Sequence, residues 1–216
     1  MVRLLSAVLF VAVVMLVRAE LAGEARQIYL FKPLATGFVI ALALAGPRRP
    51  SPDRYATFVF AGLAASLVGD VFLMLPGDRF VPGLVAFLVA HILYTYAFTR
   101  DRGFSAVLAT GVPLVLLGVG LLMVLWDGLG PLKVPVIAYV GVILTMAWQA
   151  VERWRLRSHA GAWLAGIGAL CFIASDAALG IARFRGDFPA SAAVILGLYY
   201  VAQALIARSI HLRVQA

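Results

Sequence analysis

Of the 216 residues, 63% are hydrophobic and only 13% charged, with a mean hydropathy of +1.00. A soluble chain carries about 25% charged residues, so a soluble domain is excluded, and the chain reads as one transmembrane domain over residues 1–216. The net charge of +8 is scattered over short loops rather than massed on one face, which argues for no nucleic acid and for the anionic headgroups of a lipid bilayer as partner.

A hydrocarbon core of about 30 Å takes roughly 20 apolar helical residues. Eight runs between charge clusters approach that length, which predicts an all-α, polytopic membrane fold: 4–17, 29–45, 56–75, 81–98, 104–126, 132–150, 160–182 and 190–210. The first run, following Arg3, has the length of a signal peptide's apolar core. No A-x-A cleavage pattern follows within residues 18–27, so a retained helix is expected. Turn formers separate the later runs: Gly46-Pro47, Pro50, Pro52, Pro76-Gly77, Gly130-Pro131 and Pro189.

The basic residues set an expected orientation. The side holding both termini carries Arg3, Arg48, Arg49, Arg54, Arg100, Arg102, Arg153, Arg155, Arg157, Arg208 and Arg213. The other carries Arg18, Arg26, Lys32, Arg79, Lys133, Arg183 and Arg185. Eleven against seven places both termini in the cytoplasm. Sixteen arginines against two lysines is a GC-rich bacterial composition, so the expected location is a bacterial inner membrane. The one cysteine, Cys171, lies within an apolar run, which leaves no disulfide and no cysteine metal site. Composition leaves the oligomeric state open.

Two carboxylates lie inside these runs. Asp70 is five residues from the end of span three and Asp176 six from the end of span seven, about 7–9 Å inside the non-cytoplasmic end of each helix. Inserting a carboxylate mid-helix costs about 2.5–3.5 kcal/mol, so a pair at matched depth needs a reason. The structural alternative is that each only ties helices together. The neighbours favour chemistry. Ser66, Gly69 and Asp70 share one face of span three, and Cys171, Ser175 and Asp176 cluster likewise on span seven; such small residues let helices approach. Span four carries a stripe of Phe87, His91, Tyr94 and Phe98, and span eight one of Tyr199 and Gln203. His91 and Gln203 must each find a polar partner away from lipid.

The halves also resemble each other. Lys32-Pro33 opens span two and Lys133-Val134-Pro135 opens span six. Gly69-Asp70 with Leu73 and then Arg79-Phe80 corresponds to Ser175-Asp176 with Leu179 and then Arg183-Phe184. Two units of four helices run parallel, related by an axis along the membrane normal. That arrangement predicts Asp70 and Asp176 at one depth across a central cavity, where a carboxylic acid beside a carboxylate makes an acid/base pair.

Several segments together resemble the YhhN family, the lysoplasmalogenases. They are Ser66-Leu67-Val68-Gly69-Asp70-Val71-Phe72-Leu73-Met74, Gly83-Leu84-Val85-Ala86-Phe87 and His91-Ile92-Leu93-Tyr94. With them go Phe172-Ile173-Ala174-Ser175-Asp176, Leu179, Arg183-Phe184 and Tyr199-Tyr200-Val201-Ala202-Gln203, and Lys32-Pro33-Leu34 and Ala138-Tyr139-Val140 fit as well. The likeness runs from about Lys32 to Ser209. It implies an eight-helix hydrolase that cleaves the vinyl ether bond of alkenyl lysophospholipids to a fatty aldehyde and a glycerophospho-headgroup, with Asp70 and Asp176 as the catalytic pair. Such a reaction needs a proton donor, a base for water and a negative charge to steady an oxocarbenium ion. It calls for no cofactor and no metal. Lys32 and Arg183 are the expected phosphate ligands, and Ser66, His91, Tyr94, Tyr139, Ser175, Tyr199 and Gln203 the other expected pocket residues.

Two other classes fit less well. An intramembrane aspartyl protease would need glycine at position 67, where the chain has Leu67. A proton-coupled transporter or lipid-handling protein also uses repeats and buried carboxylates, but spans three and seven lack the proline that breaks transporter helices.

Overall fold

The computed structural model describes residues 1–45, 53–100, 103–157 and 159–212. It contains eight α-helices: α1 (Val2–Ala22), α2 (Ala25–Leu44), α3 (Arg54–Met74), α4 (Phe80–Thr99), α5 (Leu108–Leu125), α6 (Lys133–Leu156), α7 (Ala160–Arg185) and α8 (Ser191–Ser209). All eight are long and apolar enough to cross a membrane. In hydrocarbon every backbone polar group must be bonded within the segment, which is why apolar runs of this length become helices. The expected breakers at 46, 47, 50 and 52, and Arg48, Arg49, Arg102 and Arg213, lie outside the described residues.

The helix ends follow local chemistry. Gly23 closes α1 in the left-handed region, at φ 66°, where its N–H and that of Glu24 return to the carbonyls of Glu20 and Ala19. Asp53 caps α3 by accepting the Tyr55 N–H at 3.0 Å.

Several helices run beyond the expected spans, α1 to Ala22, α2 from Ala25 and α7 to Arg185, and two further boundaries shift together. Helix α5 begins at Leu108 rather than 104, and α6 runs to Leu156, past residue 150. Both changes have one cause. The segment before α5 is strapped to α6: the Ser105 N–H donates to Gln149 Oε1 at 2.7 Å, and Gln149 Nε2 returns to the Ser105 carbonyl at 3.0 Å. Glu152 accepts from the hydroxyls of Ser105 and Thr110 and from Arg155. Arg153 donates to the Gly161 carbonyl and lies over the Tyr55 ring at 4.6 Å. Buried charges are tolerated when hydrogen-bonded, so the α6 helix continues through residues that read as a loop.

The two four-helix units pack in a crossed pattern. Hairpins α3–α4 and α7–α8 make the broadest contacts. Helix α2 packs on α3 and on α8 of the other unit, and α6 packs on α7 and on α4 of the other unit. Gly62 and Gly69 permit the α3–α4 approach, since a Cβ at either would lie within 2.6 Å of the Tyr94 or Phe87 ring. The first helices of the units differ. Helix α1 packs on α2 and α8 and buries Leu9, Ala12, Leu16 and Ala19. Helix α5 is held more thinly by α6 and α7 and buries only Gly111, Gly118 and Leu125.

Candidate functional site

Each aspartate is read by one helix of its own unit and one of the other. Asp70 on α3 accepts from Thr36 Oγ1 on α2 and from Tyr199 Oη on α8, both at 2.7 Å and both on Oδ2. The network then runs inward: Gln203 Nε2 donates to Tyr199 Oη at 3.1 Å, and Tyr94 Oη donates to Gln203 Oε1 at 2.7 Å. Tyr200 Oη bonds the Lys32 carbonyl at 3.1 Å and approaches Thr36 at 3.3 Å. Lys32 places its ammonium where its charge acts on Asp70, and pairs outward with Glu20 at 3.8 Å. Ser66 is fully buried beside Tyr94.

Asp176 on α7 has the matching pair of partners with different chemistry. Tyr139 on α6 donates to its Oδ2, and His91 Nε2 on α4 lies 3.5 Å from the same oxygen. Tyr139 Oη is also 3.1 Å from His91 Nε2. With the Tyr139 proton committed to Asp176, the network assigns the imidazole proton to Nε2. Nδ1, fully buried, then has no hydrogen-bond partner.

Asp70 and Asp176 do not share the central cavity that the repeat predicted. Among the described residues their hydrogen bonds go to separate partners, and a wall of rings stands between the two networks. Phe172 lies 5.5 Å from the Tyr199 ring and 4.6 Å from His91, edge-on to both, and Phe87 lies 5.8 Å from Tyr199. Asp70 is 2% exposed, whereas the Asp176 side chain is 16% exposed. That opening is a cavity of about 600 Å³ formed mainly by α4, α5, α6 and α7; among the described residues that line it, Asp176 and Tyr139 alone have polar side chains. Its size is that of a small-molecule site.

At the outer end of this cavity Phe80 and Phe184 meet edge-to-face at 5.5 Å, and the Arg183 guanidinium lies over Phe80 at 5.2 Å. Arg183 also pairs with Asp78 in the α3–α4 connection. The Phe80 N–H and Arg183 hold the Asp78 carboxyl below the usual carboxylate range.

The expected site residues therefore divide. Lys32, Ser66, Tyr94, Tyr199 and Gln203 gather on the Asp70 side. His91 and Tyr139 gather at Asp176, and Arg183 stands at the cavity rim. Ser175 joins neither group: its hydroxyl turns to the Ile195 carbonyl at 2.9 Å and ties α7 to α8. Thr36, Tyr200 and Phe172 belong to the arrangement and were missed. The spacing of Thr36 from Lys32, one helical turn, was the available signal for the first. Among the described residues no three His, Cys, Asp or Glu side chains converge.

The chain matches the YhhN family over residues 27–210. It is 34% identical over 197 residues to the uncharacterized membrane protein YhhN of Escherichia coli O157:H7, covering 91% of this chain and 93% of that one. The lysoplasmalogenase TMEM86A of Bos taurus is 39% identical over 160 residues, 71% of this chain and 65% of its own. The lysoplasmalogenase of Mycobacterium bovis is 32% identical over 199 residues, 87% and 72% respectively. No solved structure matches the chain. The extent of these matches settles its membership: the chain belongs to the YhhN family.

Proposed function

We propose that the chain is a lysoplasmalogenase-like hydrolase, which cleaves the vinyl ether of an alkenyl lysophospholipid to a fatty aldehyde and a glycerophospho-headgroup. The observation that carries this reading is Asp176, hydrogen-bonded by Tyr139, in the wall of an otherwise apolar cavity. Two of the relatives above bear the name lysoplasmalogenase.

Asp176 in its acid form gives a proton to the β-carbon of the vinyl ether. A C–H bond forms, and the adjacent carbon becomes an oxocarbenium ion. The carboxylate left behind steadies that cation in a site of low dielectric. Water adds to the cation, its proton returns to Asp176, and the hemiacetal collapses to aldehyde and alcohol. Tyr139, bonded to Oδ2 and backed by His91, orients the carboxyl and leaves Oδ1 for the substrate. Asp70, sealed behind Phe172, acts at one remove by holding Tyr199 and the aromatic wall; it is a positioning residue. The eleven-to-seven charge bias supports cytoplasmic termini, and the excess of arginine over lysine a bacterial inner membrane.

The test is purified protein in a bilayer given 1-alkenyl and 1-acyl lysolipids, with products read by mass spectrometry. Aldehyde from the alkenyl lipids alone is expected, because the site offers a proton donor and no nucleophile–base pair for an ester. Free fatty acid from acyl lipids with no aldehyde from alkenyl ones would overturn the reading.

A further inference from the structure

The cavity at Asp176 has walls that remain open to the outside. Leu116 and Leu117 of α5 line it and are still 65% and 54% exposed. These residues lie midway along α5, at hydrocarbon depth. Helix α5 is held by α6 and α7, and among the described residues it has no broad packing against α4; its counterpart α1 does pack against α8. A gap between α4 and α5 therefore faces the acyl chains of the bilayer.

The geometry along α7 sets what fits. Arg183 follows Asp176 by seven residues, two turns, so both stand on one helix face about 10 Å apart along the axis. From the oxygen-bearing carbon of the vinyl ether to the phosphorus of a lysophospholipid is six bonds, about 7 Å when extended at the pitch of a peptide backbone. A hydrogen bond of about 3 Å completes the span to the guanidinium. Past Asp176 the lining continues to Leu170, about 9 Å deeper. That depth takes only the first part of a long chain, and the remainder must leave through the open side. A volume of about 600 Å³ suits one chain rather than two.

Gly120 sits at this opening. It lines the cavity from α5, and a Cβ built on it meets nothing within 4 Å, whereas a Cβ on Gly118 would come within 2.4 Å of Leu144. A side chain at Gly118 would have to push Leu144 aside, whereas at Gly120 the missing side chain leaves open space.

We infer that this cavity holds the single hydrocarbon chain of its lipid, admitted sideways from the bilayer between α4 and α5, and that Gly120 keeps the passage open. The headgroup assignment at Arg183 rests on the proposed activity; the chain site does not.

The test uses the full chain in lipid nanodiscs and a 1-alkyl lysophosphoethanolamine carrying a photoreactive diazirine at the chain end. This probe lacks the vinyl ether and cannot be hydrolysed, so binding is read apart from turnover. Labelling of α5 and of the 170–177 part of α7 is expected. Gly120→Phe lowers it at least about tenfold, and Ala174→Leu, which narrows the opposite wall, lowers it in the same direction. Val119→Phe, on the lipid-facing side of α5, leaves it unchanged. Undiminished labelling in Gly120→Phe at the wild-type melting temperature overturns the inference, as does labelling confined to α1 and α2. If Gly120→Phe melts early, Ala174→Leu decides in the same way. Wild-type labelling that depends on Gly120, with no aldehyde from alkenyl lipids, would remove the proposed activity and leave the chain site standing.

Discussion

The two aspartate centres occupy corresponding places in a duplicated architecture, yet one is closed and the other open. Asp70 is satisfied by Thr36 and Tyr199 with Lys32 nearby, in a unit whose first helix packs broadly on α2 and also reaches α8. Asp176 has a tyrosine, a histidine with a bare Nδ1, and a cavity left where the first helix of its unit stands off. The lesson is that depth in the bilayer and position in the repeat do not assign a role. What distinguishes the two centres is whether a neighbouring helix leaves a cavity at the carboxyl.

The largest expected effect separates the centres by activity. On the proposed mechanism Asp176→Asn removes the proton donor while keeping size and most hydrogen bonding. Turnover should fall by roughly 10³-fold or more, within the span general acids contribute, at an unchanged melting temperature. Turnover within about tenfold of wild type in a folded Asp176→Asn protein would make that carboxyl a packing group.

The second effect separates them by stability. Asp70→Asn removes one of the two carboxylates whose charge acts on the buried Lys32 ammonium and leaves Glu20, at 3.8 Å. Fully stranding one member of a buried charge pair costs about 3–5 kcal/mol; with Glu20 in place the loss is a fraction of that, so this variant should melt below Asp176→Asn. Adding Lys32→Met removes the under-compensated charge and should recover part of the melting temperature. If the double variant melts no higher than Asp70→Asn, the Lys32 charge has no part in holding that centre.

These contrasts also show how far the sequence could be read. The eight helices follow from runs that almost exclude charge, and the two aspartates were visible as exceptions within them. The end of α6 was not visible. Glu152 and Arg153 look like loop residues, because their partners Ser105, Thr110 and Gly161 are distant in sequence or are ordinary small residues. Thr36 gave little signal because a helical threonine commonly bonds its own backbone, as this one also does to the Lys32 carbonyl. The separation of the centres depends on the stacking of Phe172, and the cavity on the looseness of α5. Neither leaves a periodic mark.

A third, smaller effect tests how Asp176 is held. Tyr139→Phe removes one hydrogen bond to the carboxyl and leaves the ring that lines the cavity. A charge-assisted bond contributes about 1.5–3 kcal/mol, so kcat should fall by about ten- to a hundredfold with KM little changed. His91→Ala, one bond further out, should leave more activity than Tyr139→Phe. The reverse order would move the proton-transferring role from Asp176 toward His91.

The smallest effect lies at the rim, where the Arg183 and Asp78 side chains are 41% and 65% exposed. A solvent-exposed ion pair contributes little to stability, so neither Asp78→Asn nor Arg183→Gln should alter stability measurably. Their effects on substrate should be opposite. If Asp78 competes with the lipid phosphate for Arg183, Asp78→Asn lowers KM for a phosphate-bearing lysolipid, by at most about fivefold for an interaction of that size. Arg183→Gln raises it. The Asp78 carboxyl is held below the ordinary carboxylate range, so its contribution is present at neutral pH and fades only as pH falls through that depressed value. Across pH 6–8 the KM difference between Asp78→Asn and wild type should therefore be flat, and added salt should shrink it. KM moving in the same direction in both variants would mean that the pair closes the cavity mouth as one unit and does not compete for the headgroup.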